Sequence, residues 1–265
     1  MFDITCDLHM HTTFSDGSAS VVDMCLSAID KGLHGIAITD HMPLPFDSRY
    51  AMRQADVIRY RQEIEAAKSR FGSKLEVKMG MEIEYLAEHA DWIGEIHSLG
   101  WDYLIVSVHH LPGSDMLHLV NGHEHEFAPL FTEFRENPID LCRRYFRVLQ
   151  EAIATGLFTC VGHLDVLKKW QATFGHIDET ADWYQRLIDD TLDCMVQYGI
   201  MMEINTAGLN HALGEQYPSN WIVVKAAKRK IPIVLGSDAH NPQSVGQHFG
   251  VVKERFCDRL FCERG

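Results

Sequence analysis

The sequence predicts an α/β fold, a small barrel of parallel strands alternating with helices, on three observations. The chain has 265 residues and is 46% hydrophobic, enough to bury one full core, and barrels of about this length commonly form a single domain. Short runs rich in β-branched or apolar residues alternate with amphipathic stretches, the pattern of successive βα units around a parallel sheet. Nearly every such run ends in a residue able to ligate a metal, and in a closed parallel barrel those ends share one face.

Seven strands are expected. The first covers residues 4–8 and leads to a helix over 18–31, with Val22, Leu26 and Ile29 on one face and Gly32 as its stop. The second covers 35–39. A charged helix over 56–70 precedes the third strand at 75–81, and a helix over 87–99, stopped by Gly100, precedes the strongly apolar fourth at 103–108. Residues 111–138 are polar and aromatic without clear periodicity and read as a lid or substrate loop. A helix over 140–154 leads to the fifth strand at 158–161. A helix over 180–198, ended by Gly199, precedes the sixth strand at 200–204, and a further helix precedes the seventh at 231–235. No low-complexity linker and no repeat of about 20 to 50 residues divides the chain.

Composition removes several functions. A formal net charge of -13 argues against a nucleic-acid surface, because such affinity comes from clustered Lys and Arg releasing counterions. The start, Met1-Phe2-Asp3-Ile4-Thr5, has no basic and then apolar leader, and no stretch approaches the ~20 apolar residues of a membrane span; a cytoplasmic chain is expected. The seven cysteines (Cys6, Cys25, Cys142, Cys160, Cys194, Cys257, Cys262) are odd in number, scattered and without a C-x-x-C pair, so they read as reduced, mostly core thiols.

The sixteen histidines are the unusual feature, since imidazole is the commonest metal ligand at neutral pH. His9, His11 and Asp16 follow the first strand, His41 the second, Glu82 the third, His109 the fourth, His163 the fifth, and Asp238 and His240 the seventh. An H-x-H pair alone is weak evidence, and each histidine alone reads as a hydrogen-bonded rim or core residue. Independent core histidines, however, have no reason to choose the same end of every strand. Six imidazoles and three carboxylates exceed the ~4 ligands of one zinc ion, so two or three divalent ions are expected, with Glu82 as the bridge. The mixed nitrogen and oxygen donors suit Zn, Fe or Mn.

Such ions would leave a positive cavity in an acidic protein, a polarity suited to a phosphate ester, with a metal-bridging hydroxide as nucleophile and no catalytic side chain required. No G-x-S-x-G elbow, G-x-x-x-x-G-K-[ST] loop or G-x-G-x-x-G turn competes. His123-Glu124-His125-Glu126 lacks H-E-x-x-H spacing and reads as solvated or substrate-gating. His34, His89, His97, His118, His176, His211 and His248 read as ordinary polar residues.

The set His9-x-His11, Thr39-Asp40-His41, Gly80-Met81-Glu82, Ser107-Val108-His109, Gly162-His163-Leu164-Asp165 and Ser237-Asp238-Ala239-His240 resembles the PHP (polymerase and histidinol phosphatase) superfamily. The likeness is greatest to its monofunctional histidinol-phosphate phosphatases and runs from about Asp7 to Gly246, including Val120-Asn121-Gly122, Lys168-Lys169 and Asn205-Thr206-Ala207-Gly208-Leu209. The resemblance implies a distorted (β/α)7 TIM-like barrel, one domain over residues 1–265, and a trinuclear centre. It implies that His9, His11, Glu82 and Asp238 hold one ion, Glu82, His109 and His163 a second, and Asp16, His41 and His240 a third. It further implies hydrolysis of L-histidinol phosphate in histidine biosynthesis.

Two departures stand out: Asp16 where many relatives carry His, and Asn210 where relatives often carry a basic residue that meets phosphate. Lys168 and Lys169 can supply that charge, and substrate contacts are expected from His110, Lys168, Lys169 and Asn205, with Glu84 a candidate for the leaving-group amine. The competing readings are a PHP phosphoesterase acting on nucleotides or nucleic-acid ends, a metal-binding protein without catalysis, and an amidohydrolase-like C–N hydrolase. The last commonly has a carbamylated Lys where this chain has His109.

Overall fold

Apolar runs buried on both faces become parallel strands, and the linking amphipathic segments become helices that cover them. In the computed structural model, which describes residues 3–175 and 177–260 and side chains through 256, this alternation is complete. His176, Cys262 and the side chain of Cys257 lie outside the described residues. The chain runs from β1 (Cys6–Asp7) through α1 (Val21–Asp30), β2 (Gly35–Ile38), α2 (Val57–Phe71), β3 (Glu76–Glu84) and α3 (Ala90–Ser98) to β4 (Tyr103–Ser107). A hairpin, β5 (His110–Pro112) and β6 (Leu117–Leu119), then leads into α4 (Glu124–Phe134) and α5 (Pro138–Ala154). After β7 (Cys160–Val161) come α6 (Gln171–Phe174), α7 (Asp182–Tyr198), β8 (Met201–Asn205), α8 (Asn220–Lys228), β9 (Ile233–Gly236) and α9 (Phe249–Leu260).

The main sheet is parallel throughout, in the order β1-β2-β3-β4-β7-β8-β9. Its first and last strands meet and close it. Leu8 N donates to Leu235 O, Asp238 N to His9 O and His11 N to Ala239 O, each at 2.9 Å. The seven expected strands are therefore the seven observed, and the sheet is nearly closed into a barrel of TIM-like kind.

Local chemistry explains the element ends. Ser20 caps α1 through a capping box with Asp23, each residue's side chain answering the other's backbone N–H at 3.2 Å. Gly199 ends α7 in the left-handed conformation (φ 67°), which costs a residue without Cβ nothing. The third strand runs further than expected, through Glu84, so Glu82 and Glu84 share the face that a period of two assigns them.

One expectation is corrected. Residues 111–138 are not an irregular loop but hold most of the hairpin and the eleven-residue α4. The apolar stripe of α4 is Phe127, Leu130 and Phe134, all buried, and it is masked in sequence by Pro129 and by the acidic first turn. The helix α9, packed through Phe249, Val252 and Phe256, was not anticipated. Among the described residues no helix is long and apolar enough to cross a membrane, and Cys6, Cys25, Cys142, Cys160 and Cys194 are free thiols.

Candidate metal centre

Parallel strands put their C-terminal ends on one rim, and there the nine expected ligands converge. Glu82, 1% exposed, is the hub. Its Oε1 accepts from Ser107 Oγ at 2.6 Å and stands 3.0 Å from His163 Nε2 and 3.3 Å from His109 Nε2. Its Oε2 stands 2.9 Å from His41 Nδ1, 3.4 Å from His9 Nε2 and 3.6 Å from His11 Nε2. One carboxylate thus has histidines of two strand ends on one oxygen and of two others on the second, the placement a bridging ligand needs.

The other carboxylates sit nearer the opening. Asp238 Oδ1 is 3.1 Å from His11 Nε2 and 3.7 Å from His9 Nε2. Asp16 Oδ1 is 3.2 Å from His240 Nε2, 3.8 Å from His11 Nδ1 and 3.9 Å from His41 Nε2. Asp238 has φ 53°, a left-handed conformation uncommon for a non-glycine residue, and is held there by its bond to His9 O.

The donor set suits cations in its own chemistry. Imidazole nitrogens face each other at 3.1 Å twice, His9 Nε2 to His11 Nε2 and His109 Nε2 to His163 Nε2. The Nδ1 atoms of His11 and His163 are buried without a hydrogen-bond partner. Three groups have ligand atoms all within 4.8 Å of one another: His11, Asp16, His41 and His240; His9, His11 and Asp238; His41, Glu82 and His109. Facing lone pairs, orphaned nitrogens and three carboxylates fit two or three divalent ions.

The buried charges of the cluster shift one another. Burial raises the Glu82 and Asp238 carboxyls, but the neighbouring histidines outweigh it and hold both well below the usual range. Burial, with His240 and His41 beside it, pushes His11 down to about 3, a neutral ring with a free lone pair. Burial lowers His109 too, yet Glu82 and Glu84 bring it up to about 10.

All of the nine but His9 and His11 line a cavity of about 390 Å³. Of the four expected substrate contacts, only Lys169 lines it. Lys168 is fully buried, with Nζ 3.2 Å from Asp165, 2.9 Å from Glu215 and hydrogen-bonded to Ser219. Asn205 is buried between Glu203 and Asp238, and His110 stands behind Tyr50, its ring 3.2 Å from the phenol oxygen. Glu84 is not open to an amine either: it accepts from His109 N and His110 N and stands 3.0 Å from His109 Nδ1. The walls hold instead Arg49, Tyr50, Asn121, His123, Asn210 and His211. Of these, Asn121, His123 and Asn210 carry a sequence signal, in the V-N-G and H-E-H-E stretches and after N-T-x-G-L, whereas His211, read from sequence as an ordinary polar residue, lines the cavity too, and Arg49 and Tyr50 lie in an unpatterned connection.

Residues 7–207 match the PHP domain family and residues 224–260 match the family described as PHP-associated. Over 257 residues the chain is 34% identical to a protein of Deinococcus radiodurans named "Probable histidinol-phosphatase", covering 94% of this chain and 92% of that one. It is 30% identical over 268 residues to the histidinol-phosphatase of Bacillus subtilis, covering 94% and 98%. The fold superposes on the histidinol phosphate phosphatase of Lactococcus lactis, crystallised with zinc, L-histidinol and phosphate, with a TM-score of 0.74 at 21% identity over 95% of this chain and 93% of that one.

Proposed function

The chain belongs to the PHP domain family, and on that premise we propose that it hydrolyses L-histidinol phosphate to L-histidinol and phosphate, a late step of histidine biosynthesis. The observation that carries the reading is the convergence of the nine donors, seven of which line one cavity while His9 and His11 stand behind them against Glu82 and Asp238. Whole-length identity with histidinol-phosphatases supports the choice of substrate. The acidic chain favours a small phosphate ester over a nucleic-acid end.

In this reading His9, His11, Glu82 and Asp238 hold one ion, Glu82, His109 and His163 another, and Asp16, His41 and His240 a third. When bound, zinc, iron or manganese supplies Lewis acidity toward the phosphoryl group and activates water as the nucleophile. The protein's part is placement. Glu82 keeps donors from four strand ends around one carboxylate, and Asp16 and His240, less buried than the rest, face the incoming ester.

Lys169 meets the phosphate charge that Asn210 cannot. Its Nζ donates to Asn121 O and it stands on the cavity wall. Among the described residues lining the cavity, the only carboxylates are the proposed ligands Asp16, Glu82 and Asp238. The leaving group is then held by neutral groups such as Tyr50, Asn121 and Asn210.

The deciding experiment is phosphate release by zinc-, manganese- or iron-loaded protein from histidinol phosphate, p-nitrophenyl phosphate, nucleotides and short oligonucleotides. Turnover of histidinol phosphate far above the others is expected. Equal, slow rates on all of them would remove the substrate assignment.

A further inference from the structure

Glu203, on β8 beneath the cluster, is a carboxylate that the ligand assignment leaves without a role. We propose that it is a positioning residue that ties three ligand-bearing strand ends together and sets the zinc affinity of the site built on His9. Its Oε1 lies 2.7 Å from His9 Nδ1. Its Oε2 accepts from His163 N at 2.7 Å and from Asn205 Nδ2 at 3.3 Å, and the same Asn205 amide donates to Asp238 Oδ2 at 3.2 Å. The ends of β1, β7 and β9 are thereby fastened to a single side chain on β8.

The bond to His9 decides a tautomer. A carboxylate only accepts, so Nδ1 of His9 carries the proton. That leaves Nε2, which faces His11 Nε2, Glu82 and Asp238, as the nitrogen offered to a cation. A carboxylate behind a ligating histidine fixes ring orientation and raises ligand basicity. His11 and His163 have no such partner on Nδ1, which makes His9 the ring whose direction is set in advance on this side of the cluster. Glu84 stands in the same relation to His109, at 3.0 Å.

The surrounding sequence keeps room for this carboxylate. A Cβ on Gly236 would lie 1.9 Å from Glu203 Oε1 and 2.7 Å from His9 Cβ, so any side chain there would force the pair apart. Glu203 is 1% exposed, and an unpaired carboxylate at that depth is strongly destabilising. It is retained with donors on both oxygens, which is what a built support requires.

The inference rests on the metal reading above, and zinc binding separates the two. Metal-free wild type and Glu203→Gln are titrated with zinc, the bound metal is counted, and histidine nitrogens are observed by long-range 1H–15N NMR, with His9 assigned from His9→Ala. Zinc-loaded wild type is expected to keep the His9 proton on Nδ1. Glu203→Gln is expected to bind one zinc equivalent 10- to 100-fold more weakly, with the His9 proton no longer confined to Nδ1. A His9 proton on Nε2 in zinc-loaded wild type overturns the proposal, even if the variant does not fold. So does wild-type zinc stoichiometry and affinity in a folded Glu203→Gln. Absence of zinc binding by wild type would instead overturn the metal reading itself.

Discussion

Arg49 Nη2 stands 2.7 Å from Glu126 Oε2, and this ion pair joins the segment after β2 to the first turn of α4 beside the cavity. Glu126 also accepts from His123 N at 2.7 Å, so the pair orders the wall to which His123 belongs. Arg49 is 60% exposed, and an exposed pair contributes only ~0.2–1 kcal/mol to stability. Arg49→Ala is therefore expected to leave the melting temperature nearly unchanged and to raise KM several-fold with kcat retained. Steady-state kinetics beside a thermal melt checks this, and a fall in kcat at constant KM would contradict it.

Glu82 is the residue whose loss should be least tolerated. Its two oxygens face five imidazoles, and Glu82→Gln replaces one oxygen by an amide that cannot ligate. Since removing a residue behind a ligand already costs 10- to 100-fold, activity is expected to fall by more than ~10²-fold with at least one metal equivalent missing. Metal analysis of the purified variant reads the outcome. Full stoichiometry with full activity would remove Glu82 from the centre.

What was legible in the sequence follows from how each residue does its work. The cluster of donors is legible because barrel strands end on one rim, so His9, His41, Glu82, His109, His163 and Asp238 are each flagged by a strand before them. Glu203 has no such flag, because it lies inside β8 and acts through a histidine some 190 positions away. Arg49 and Tyr50 sit in an irregular connection where no periodicity points. α4 was hidden because Pro129 and the acidic first turn disguise its apolar stripe. Lys168 was misplaced because a lysine pair shows charge but not direction: the 3-10 turn that holds both sends Lys168 inward and leaves Lys169 on the cavity wall.

That division yields a stability test. Lys168 neutralises Asp165 inside the protein, where Asp165 Oδ2 also accepts from Ser219 N at 2.9 Å. Lys168→Met leaves a buried carboxylate without its cation, which costs about 3–5 kcal/mol. A marked drop in the denaturation midpoint is expected, with KM of the folded enzyme unchanged. A raised KM in a fully stable variant would return Lys168 to the substrate.

Lys169 should show itself through pH. Burial lowers its pKa below the ordinary lysine value, and Asp238 and Glu126 only partly oppose this. A lysine is charged below its pKa, so its attraction for a phosphate ester is complete well below the lowered value and is lost as pH rises through it. KM is therefore expected to climb on the alkaline side at a pH below the usual lysine range. Lys169→Arg, which stays charged throughout, is expected to remove that limb, and Lys169→Met to raise KM at neutral pH already. The profile is measured with metal loading held constant, so that a change in phosphate binding is not confused with a change in the ions. An alkaline limb that persists unaltered in Lys169→Arg would show that another group meets the phosphate.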